Sequence, residues 1–91
     1  MKGLNLAVFA GNVKTEPQFG VTSAGVKACA ILIVVELPSV KMDVRVNAYG
    51  PLVDIVQKLQ ISCGDAIIAY GSILDKDSPY VELKADNIIL V

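Results

Sequence analysis

The fold class of this 91-residue chain is decided by one stretch, Val40-Lys41-Met42-Asp43-Val44-Arg45-Val46-Asn47-Ala48-Tyr49. Apolar and polar side chains alternate along the whole stretch, and successive side chains of a β-strand point to opposite faces of the sheet. The pattern predicts a half-buried strand with one apolar and one polar face. Lys41, Arg45 and Tyr49 project together from the polar face.

Four further strands are predicted around this stretch, at residues 4–14, 26–36, 66–74 and 80–91. The first of them places apolar side chains at positions 4, 6, 8 and 10, on one side of the strand. The second is apolar on both faces through its middle, so both of its faces should be covered. Residues typical of turns separate the strands, at positions 15–18, 22–25, 37–39 and 75–79.

One segment has helical periodicity instead. Pro51 suits the first position of a helix, where its missing N–H would have no partner in any case. Leu52, Ile55, Val56 and Leu59 then recur at spacings of three and four residues. The sequence therefore predicts an all-β protein, a five-stranded OB-fold barrel with one short helix between strands three and four. Residues 1–91 are predicted to form a single domain.

Composition bears on assembly and on partners. Hydrophobic residues make up 54% of the chain and charged residues 19%, and the mean hydropathy is +0.59. A barrel of this length has little interior, so we expect some apolar surface to face another subunit in a homodimer or homotetramer. A well-packed monomer is the alternative. The net charge of −1 argues against a nucleic-acid binder without excluding one, because a strand responds to the local field of a groove.

The chain offers little for catalysis or for cofactors. It has no His, and Cys29 and Cys63 form neither a disulfide framework nor a recognised metal spacing. We therefore predict no enzyme activity, no metal and no cofactor. The cysteines lie in apolar segments, which favours buried, reduced thiols in the cytoplasm. Apolar runs such as residues 31–35 are too short to span a bilayer, so no membrane association is expected.

Motifs in order along nearly the whole chain resemble the core domain of the bacterial single-stranded DNA-binding family. The matching segments are Gly11-Asn12-Val13-Lys14-Thr15-Glu16-Pro17-Gln18-Phe19, Thr22 to Gly25, Ala28 to Val34, Arg45-Val46-Asn47-Ala48-Tyr49-Gly50-Pro51-Leu52, Gly64-Asp65, Ile67 to Gly71, Tyr80-Val81-Glu82 and Ala85-Asp86-Asn87-Ile88. The resemblance implies a non-catalytic protein of DNA replication, recombination or repair. Such a protein binds single strands by phosphate contacts and base stacking, and replication proteins are among its possible partners.

The candidate nucleic-acid-binding residues that follow are Lys14, Lys27, Lys41, Arg45, Tyr49, Tyr70 and Tyr80. Tyr49 is the first choice for stacking, because the family position that it matches is usually aromatic. The alternative is a solvated outer face on which Tyr49 closes the barrel. Taken singly, Lys14 and Lys27 are better explained as solvent-facing lysines. Tyr70 and Tyr80 could stack bases or lie at a subunit contact.

The chain also departs from the family. It has no Trp, Asp43 stands where an aromatic residue is common, and the link at 37–39 replaces a long basic hairpin. Within these 91 residues we find no match to the acidic C-terminal tail of the family. These departures support a second hypothesis, an interaction module that resembles the small primosomal OB-fold proteins and binds DNA weakly or not at all.

Overall fold

The computed structural model describes residues 3–74 and 79–91 and contains six strands and one helix. The elements are β1 (Ala7–Val13), β2 (Gln18–Val21), β3 (Lys27–Glu36), β4 (Lys41–Tyr49), α1 (Pro51–Leu59), β5 (Ala66–Ile73) and β6 (Val81–Leu90). All five predicted strands and the helix are present. Positions 75–78 of the predicted turn lie outside the described residues.

The strands form one sheet in the order β1-β5-β6-β4-β3-β2, and β1 also pairs with β3, which closes a barrel. β4 and β6 run parallel, whereas the other pairs are antiparallel. A closed and mostly antiparallel barrel with one short helix agrees with the predicted OB-fold.

The short strand β2 was not predicted. Both β1 and β2 pair with β3, at Val13 with Ile33 and at Gln18 with Ala30. Four residues, 14–17, therefore lie opposite only two residues of β3, 31–32. Pro17 cannot donate a ladder hydrogen bond, which suits it to this break. β1 and β2 are thus two parts of one barrel strand, and the helix follows the fourth observed strand, not the third.

The core lies inside the barrel and beneath α1. Alternate residues of β3 and β4, including Ile31, Ile33, Val44 and Val46, point inward and are fully buried. The helix buries Leu52, Val53 and Val56 in the same core, whereas Ile55, predicted on its apolar side, is exposed. In the described ranges, no helix is long and apolar enough to cross a membrane.

The apolar side of the first strand faces outward. Leu6 and Val8 are 62% and 63% exposed, whereas Phe9, the residue between Val8 and Ala10, packs against the core. The strand register places Val8 opposite Tyr70 and Ile68 opposite Ile89. We call the surface formed by Leu6, Val8, Ile68, Tyr70 and Ile89 the apolar outer face.

The strands β5 and β6 approach each other closely at Gly71. Their register shifts here, since Tyr70 pairs with Asn87 and Gly71 with Ala85. A Cβ atom on Gly71 would overlap the carbonyl oxygen of Lys84. Glycine is therefore required by the approach of the two backbones.

Candidate nucleic-acid interface

A shallow groove crosses the outer surface of β3 and β4 and is bordered by β2. It consists of three adjoining depressions, of which two share Arg45 and two share Tyr49. We call it the β3–β4 groove. Its polar and aromatic lining residues are Gln18, Phe19, Thr22, Arg45, Tyr49, Tyr80 and Lys84.

The strand register explains the shape of the groove. On the outer face, Arg45 lies opposite Leu32 and Tyr49 lies opposite Ala28. The small side chain of Ala28 leaves space beside the tyrosine ring. At a rise of about 3.3 Å per residue, Arg45 and Tyr49 are separated by about 13 Å along β4. A cation and an aromatic ring thus lie along one open surface, as the alternation of residues 40–49 predicts.

A buried polar pair, Asn47 and Glu82, lies beside Arg45. The parallel pairing of β4 with β6 places Arg45 beside Glu82 and Asn47 beside Lys84. Asn47 and Glu82 are 7% and 8% exposed, and Asn47 Nδ2 donates a hydrogen bond of 3.2 Å to Glu82 Oε1. The Nε of Arg45 lies 3.9 Å from the same oxygen. Asn47 belongs to the polar face of its strand, yet it is buried, with its amide bonded to β6.

The predicted lysines are also paired with carboxylates. Lys14 Nζ lies 2.9 Å from Asp43 Oδ2, which places Lys14 on the outer face of β4. Lys27 Nζ lies 2.8 Å from Asp54 Oδ1, which directs Lys27 towards α1. Lys41 Nζ lies 3.8 Å from Glu36 Oε1 at the far end of β3 and β4. Exposed pairs of this kind contribute roughly 0–1 kcal/mol, so an incoming phosphate can compete for the lysines.

The three tyrosines do not lie together. Tyr80 borders one depression of the β3–β4 groove, and Tyr49 borders the other two. Tyr70 instead lies on the apolar outer face, where its hydroxyl accepts a hydrogen bond of 3.4 Å from Asn87 Nδ2. The structure therefore brings together Arg45, Tyr49 and Tyr80 and places Tyr70 elsewhere.

Sequence reasoning missed four lining residues of the groove, Gln18, Phe19, Thr22 and Lys84. Lys84 borders it beside Tyr49, and within residues 3–74 and 79–91 no carboxylate oxygen lies within 4.0 Å of its amine. The alternation of Glu82 and Lys84 with buried Leu83 could have indicated this position. Phe19 is 49% exposed on β2 and lines the groove.

The two thiols differ in their surroundings. Burial raises the pKa of Cys29 from 9.0 to about 11, because an apolar site disfavours the thiolate. The prediction of a buried thiol is wrong for Cys63, which is exposed and donates a hydrogen bond of 3.2 Å to the carbonyl oxygen of Lys14. Both are free thiols. Over the described part of the chain, no group of three or more Cys, Asp or Glu residues is placed to hold a metal ion.

Comparisons with known proteins concern the fold. No family model matches the sequence, and no curated protein matches it. Among solved structures, the second single-stranded DNA-binding protein of Mycobacterium smegmatis is similar, with a TM-score of 0.79 and 18% sequence identity. The similarity covers 94% of this chain and 87% of that one. This chain therefore resembles the bacterial single-stranded DNA-binding proteins in the fold of its barrel, as the order of its motifs predicts.

Proposed function

We propose that this chain binds single-stranded DNA in the β3–β4 groove and catalyses no reaction. The observation that carries the proposal is that Arg45 and Tyr49 lie along one groove, with Phe19, Tyr80 and Lys84 at its borders. Aromatic rings beside cations form the usual platform for a single strand, because bases stack on the rings while phosphates contact the cations. The corresponding face of other OB-folds binds oligonucleotides.

The biological setting is proposed from the same resemblance. The similar mycobacterial protein is named for binding single-stranded DNA. We assign this chain to DNA replication, recombination or repair, with replication proteins as candidate partners. Its two free thiols favour a reducing compartment, and we propose the cytoplasm.

A titration of fluorescein-labelled oligo-dT at several salt concentrations tests the proposal. Affinity should fall as salt rises, with a log–log slope of about −0.7 per phosphate neutralised. Tyr49→Ala should weaken binding about 5- to 150-fold, the equivalent of one lost stacking contact. Tyr49→Phe is the matched control, because it keeps the ring, and Tyr80→Ala should cost less than Tyr49→Ala. Absence of binding at low salt would refute the proposal.

We further propose that the apolar outer face is covered by a second copy of the chain. Leu6, Val8 and Ile89 are large apolar residues at 62%, 63% and 46% exposure on one surface. The edge of β1 beside this surface is also open, because among the described residues β3 pairs only with Asn12 and Val13 of that strand. An open strand edge is a template for pairing with another chain. Assembly would raise the avidity of a groove that has few contacts in each subunit.

Sedimentation equilibrium of wild type and Val8→Lys tests this assembly. The wild type should sediment as a dimer or tetramer and the variant as a folded monomer. Val40→Lys is the matched control, since Val40 is 59% exposed in the β3–β4 connection, away from the apolar outer face. A monomeric wild type, or equal masses for the two variants, would contradict the assignment of this face.

One observation favours the alternative function, a protein-interaction module with weak or no DNA binding. Each of the four predicted cations lies within 4.0 Å of a carboxylate, which lowers the positive potential of the surface. The same two measurements separate the hypotheses. A stable oligomer that binds no oligo-dT at low salt would support the interaction module.

A further inference from the structure

The carboxylate of Glu82 occupies an unusual place for a surface that is proposed to receive phosphates. It is almost fully buried on β6, directly beside Arg45, the residue that two depressions of the β3–β4 groove share. Negative charge at this position opposes the approach of another anion. Its effect on the groove therefore depends on whether the carboxylate can move away.

Three of the four carboxylates paired with predicted cations are partly or largely exposed. The side chains of Asp43, Asp54 and Glu36 are 31%, 50% and 75% exposed in their ion pairs, so water and salt screen them. Glu82 differs, because its side chain is only 10% exposed in its own ion pair. It is the fixed member of the set.

The contacts of Glu82 explain why it is fixed. Asn47 Nδ2 donates to its side-chain Oε1 at 3.2 Å. The backbone carbonyl oxygen of Glu82 accepts a hydrogen bond of 2.8 Å from the amide of Leu74, which holds the backbone of this residue and not its carboxylate. A buried carboxylate needs hydrogen-bond donors and a compensating positive charge. Arg45 Nε, 3.9 Å from Glu82 Oε1, supplies that charge. Arg45 therefore already has a permanent anionic partner within the protein.

We propose that Glu82 is the internal counter-anion of Arg45 and limits the affinity of the groove for single strands. This inference rests on the proposed function. A phosphate that contacts Arg45 shares the guanidinium with Glu82 and feels the repulsion of the buried carboxylate. The groove thus holds a strand less tightly than its cations alone would allow.

Glu82→Gln isolates this effect, because glutamine has the same shape and its Oε1 still accepts the hydrogen bond from Asn47. Removing one negative charge within several Å of a phosphate should tighten the binding of labelled oligo-dT about threefold to tenfold. The salt slope should steepen by up to about 0.7, since a further phosphate is neutralised. Asp86→Asn is the matched control, because it changes the net charge equally at an exposed residue outside the groove.

A second pair of variants assigns the effect to Arg45. In an Arg45→Gln background, Glu82→Gln should raise the affinity for oligo-dT less than twofold, because the cation that Glu82 neutralises in the wild type is absent. A gain of the original size in this background would overturn the counter-anion mechanism. Should Glu82→Gln fail to fold, the double variant Asn47→Leu/Glu82→Met replaces the buried polar pair with apolar side chains and carries the same expectation.

The outcomes distinguish this inference from the proposed function. If wild type binds oligo-dT and Glu82→Gln binds no better than Asp86→Asn, the inference is wrong and the function stands. If neither wild type nor Glu82→Gln binds at low salt, the function is wrong and the inference falls with it. If wild type binds oligo-dT and Glu82→Gln binds it more tightly while Asp86→Asn does not, both the proposed function and the inference are supported.

Discussion

The substitution Gly71→Ala should destabilise this barrel more than its size suggests. The added methyl group would overlap the carbonyl oxygen of Lys84 and lie 3.0 Å from both Ala85 Cα and Asp86 N. These are backbone atoms, so no change of side-chain rotamer relieves the contact. Relief requires β5 and β6 to separate where their register already shifts.

The magnitude follows from the cost of overpacking. Forcing a well-packed region to accept an extra methyl group costs roughly 1–3 kcal/mol, and the upper half of that range applies because backbone must move. We expect a loss of about 2–3 kcal/mol from a total stability of about 5–14 kcal/mol for a chain of this length. For a domain of this size, such a loss lowers Tm by about 8–24 °C.

Urea and thermal unfolding followed by circular dichroism measure this loss. Gly20→Ala is the matched control, because a Cβ atom there meets nothing within 4 Å and the residue lies exposed on β2. Its Tm should stay within a few degrees of wild type. A Gly71→Ala protein that melts within about 2 °C of Gly20→Ala would refute the argument from close approach.

Three further predictions concern the groove and the core. Lys84→Gln should weaken oligo-dT binding and make the log–log salt slope shallower by about 0.7. The control Lys58→Gln, on the exposed side of α1, should change neither the affinity nor the slope. Equal slopes for the two variants would mean that the DNA strand binds elsewhere. Asn47→Ala should lower the free energy of unfolding by about 1.5–3 kcal/mol, because Glu82 loses its buried donor, and a loss below about 0.5 kcal/mol would contradict that pairing. Burial holds the pKa of Cys29 at about 11 against 9.0, so the folded chain keeps a proton that the unfolded chain releases. The free energy of unfolding should therefore fall by on the order of 2 kcal/mol between pH 9 and pH 11. Urea titrations at these two pH values measure the fall, and the Cys29→Ala variant should not show it.

The sequence predicts those parts of the fold that depend on local periodicity. The strand predicted at residues 40–49 is observed as Lys41–Tyr49, and the helix begins at Pro51 as expected. β2 was missed because its four residues are all exposed, so they carry no alternation of buried and exposed positions. The outward direction of the apolar side of β1 was equally hidden, since periodicity shows that two faces differ and not which one is inside.

The site was predictable only in part, for a related reason. Arg45 and Tyr49 lie on one strand, so alternation alone places them on the same face. Glu82 and Lys84 join that face only through the parallel pairing of β4 with β6. This pairing places Arg45 beside Glu82, which lies 37 positions later in the sequence. Such pairing depends on the closed sheet. For the same reason Tyr70, similar to Tyr49 in its local pattern, lies on another surface.

The parallel pairing of β4 with β6 also has a consequence for synthesis of the chain. The groove takes Arg45 and Tyr49 from the middle of the sequence and Lys84 from β6, and the buried Glu82 lies beside Arg45. A nascent chain on the ribosome can form the β3–β4 hairpin early, but Asn47 lacks its hydrogen-bond partner Glu82 until β6 has emerged. Long-range pairings of this kind form late and slow the folding of β-proteins. The groove is therefore incomplete until β6 has paired with β4, so a partly made chain lacks the complete candidate site.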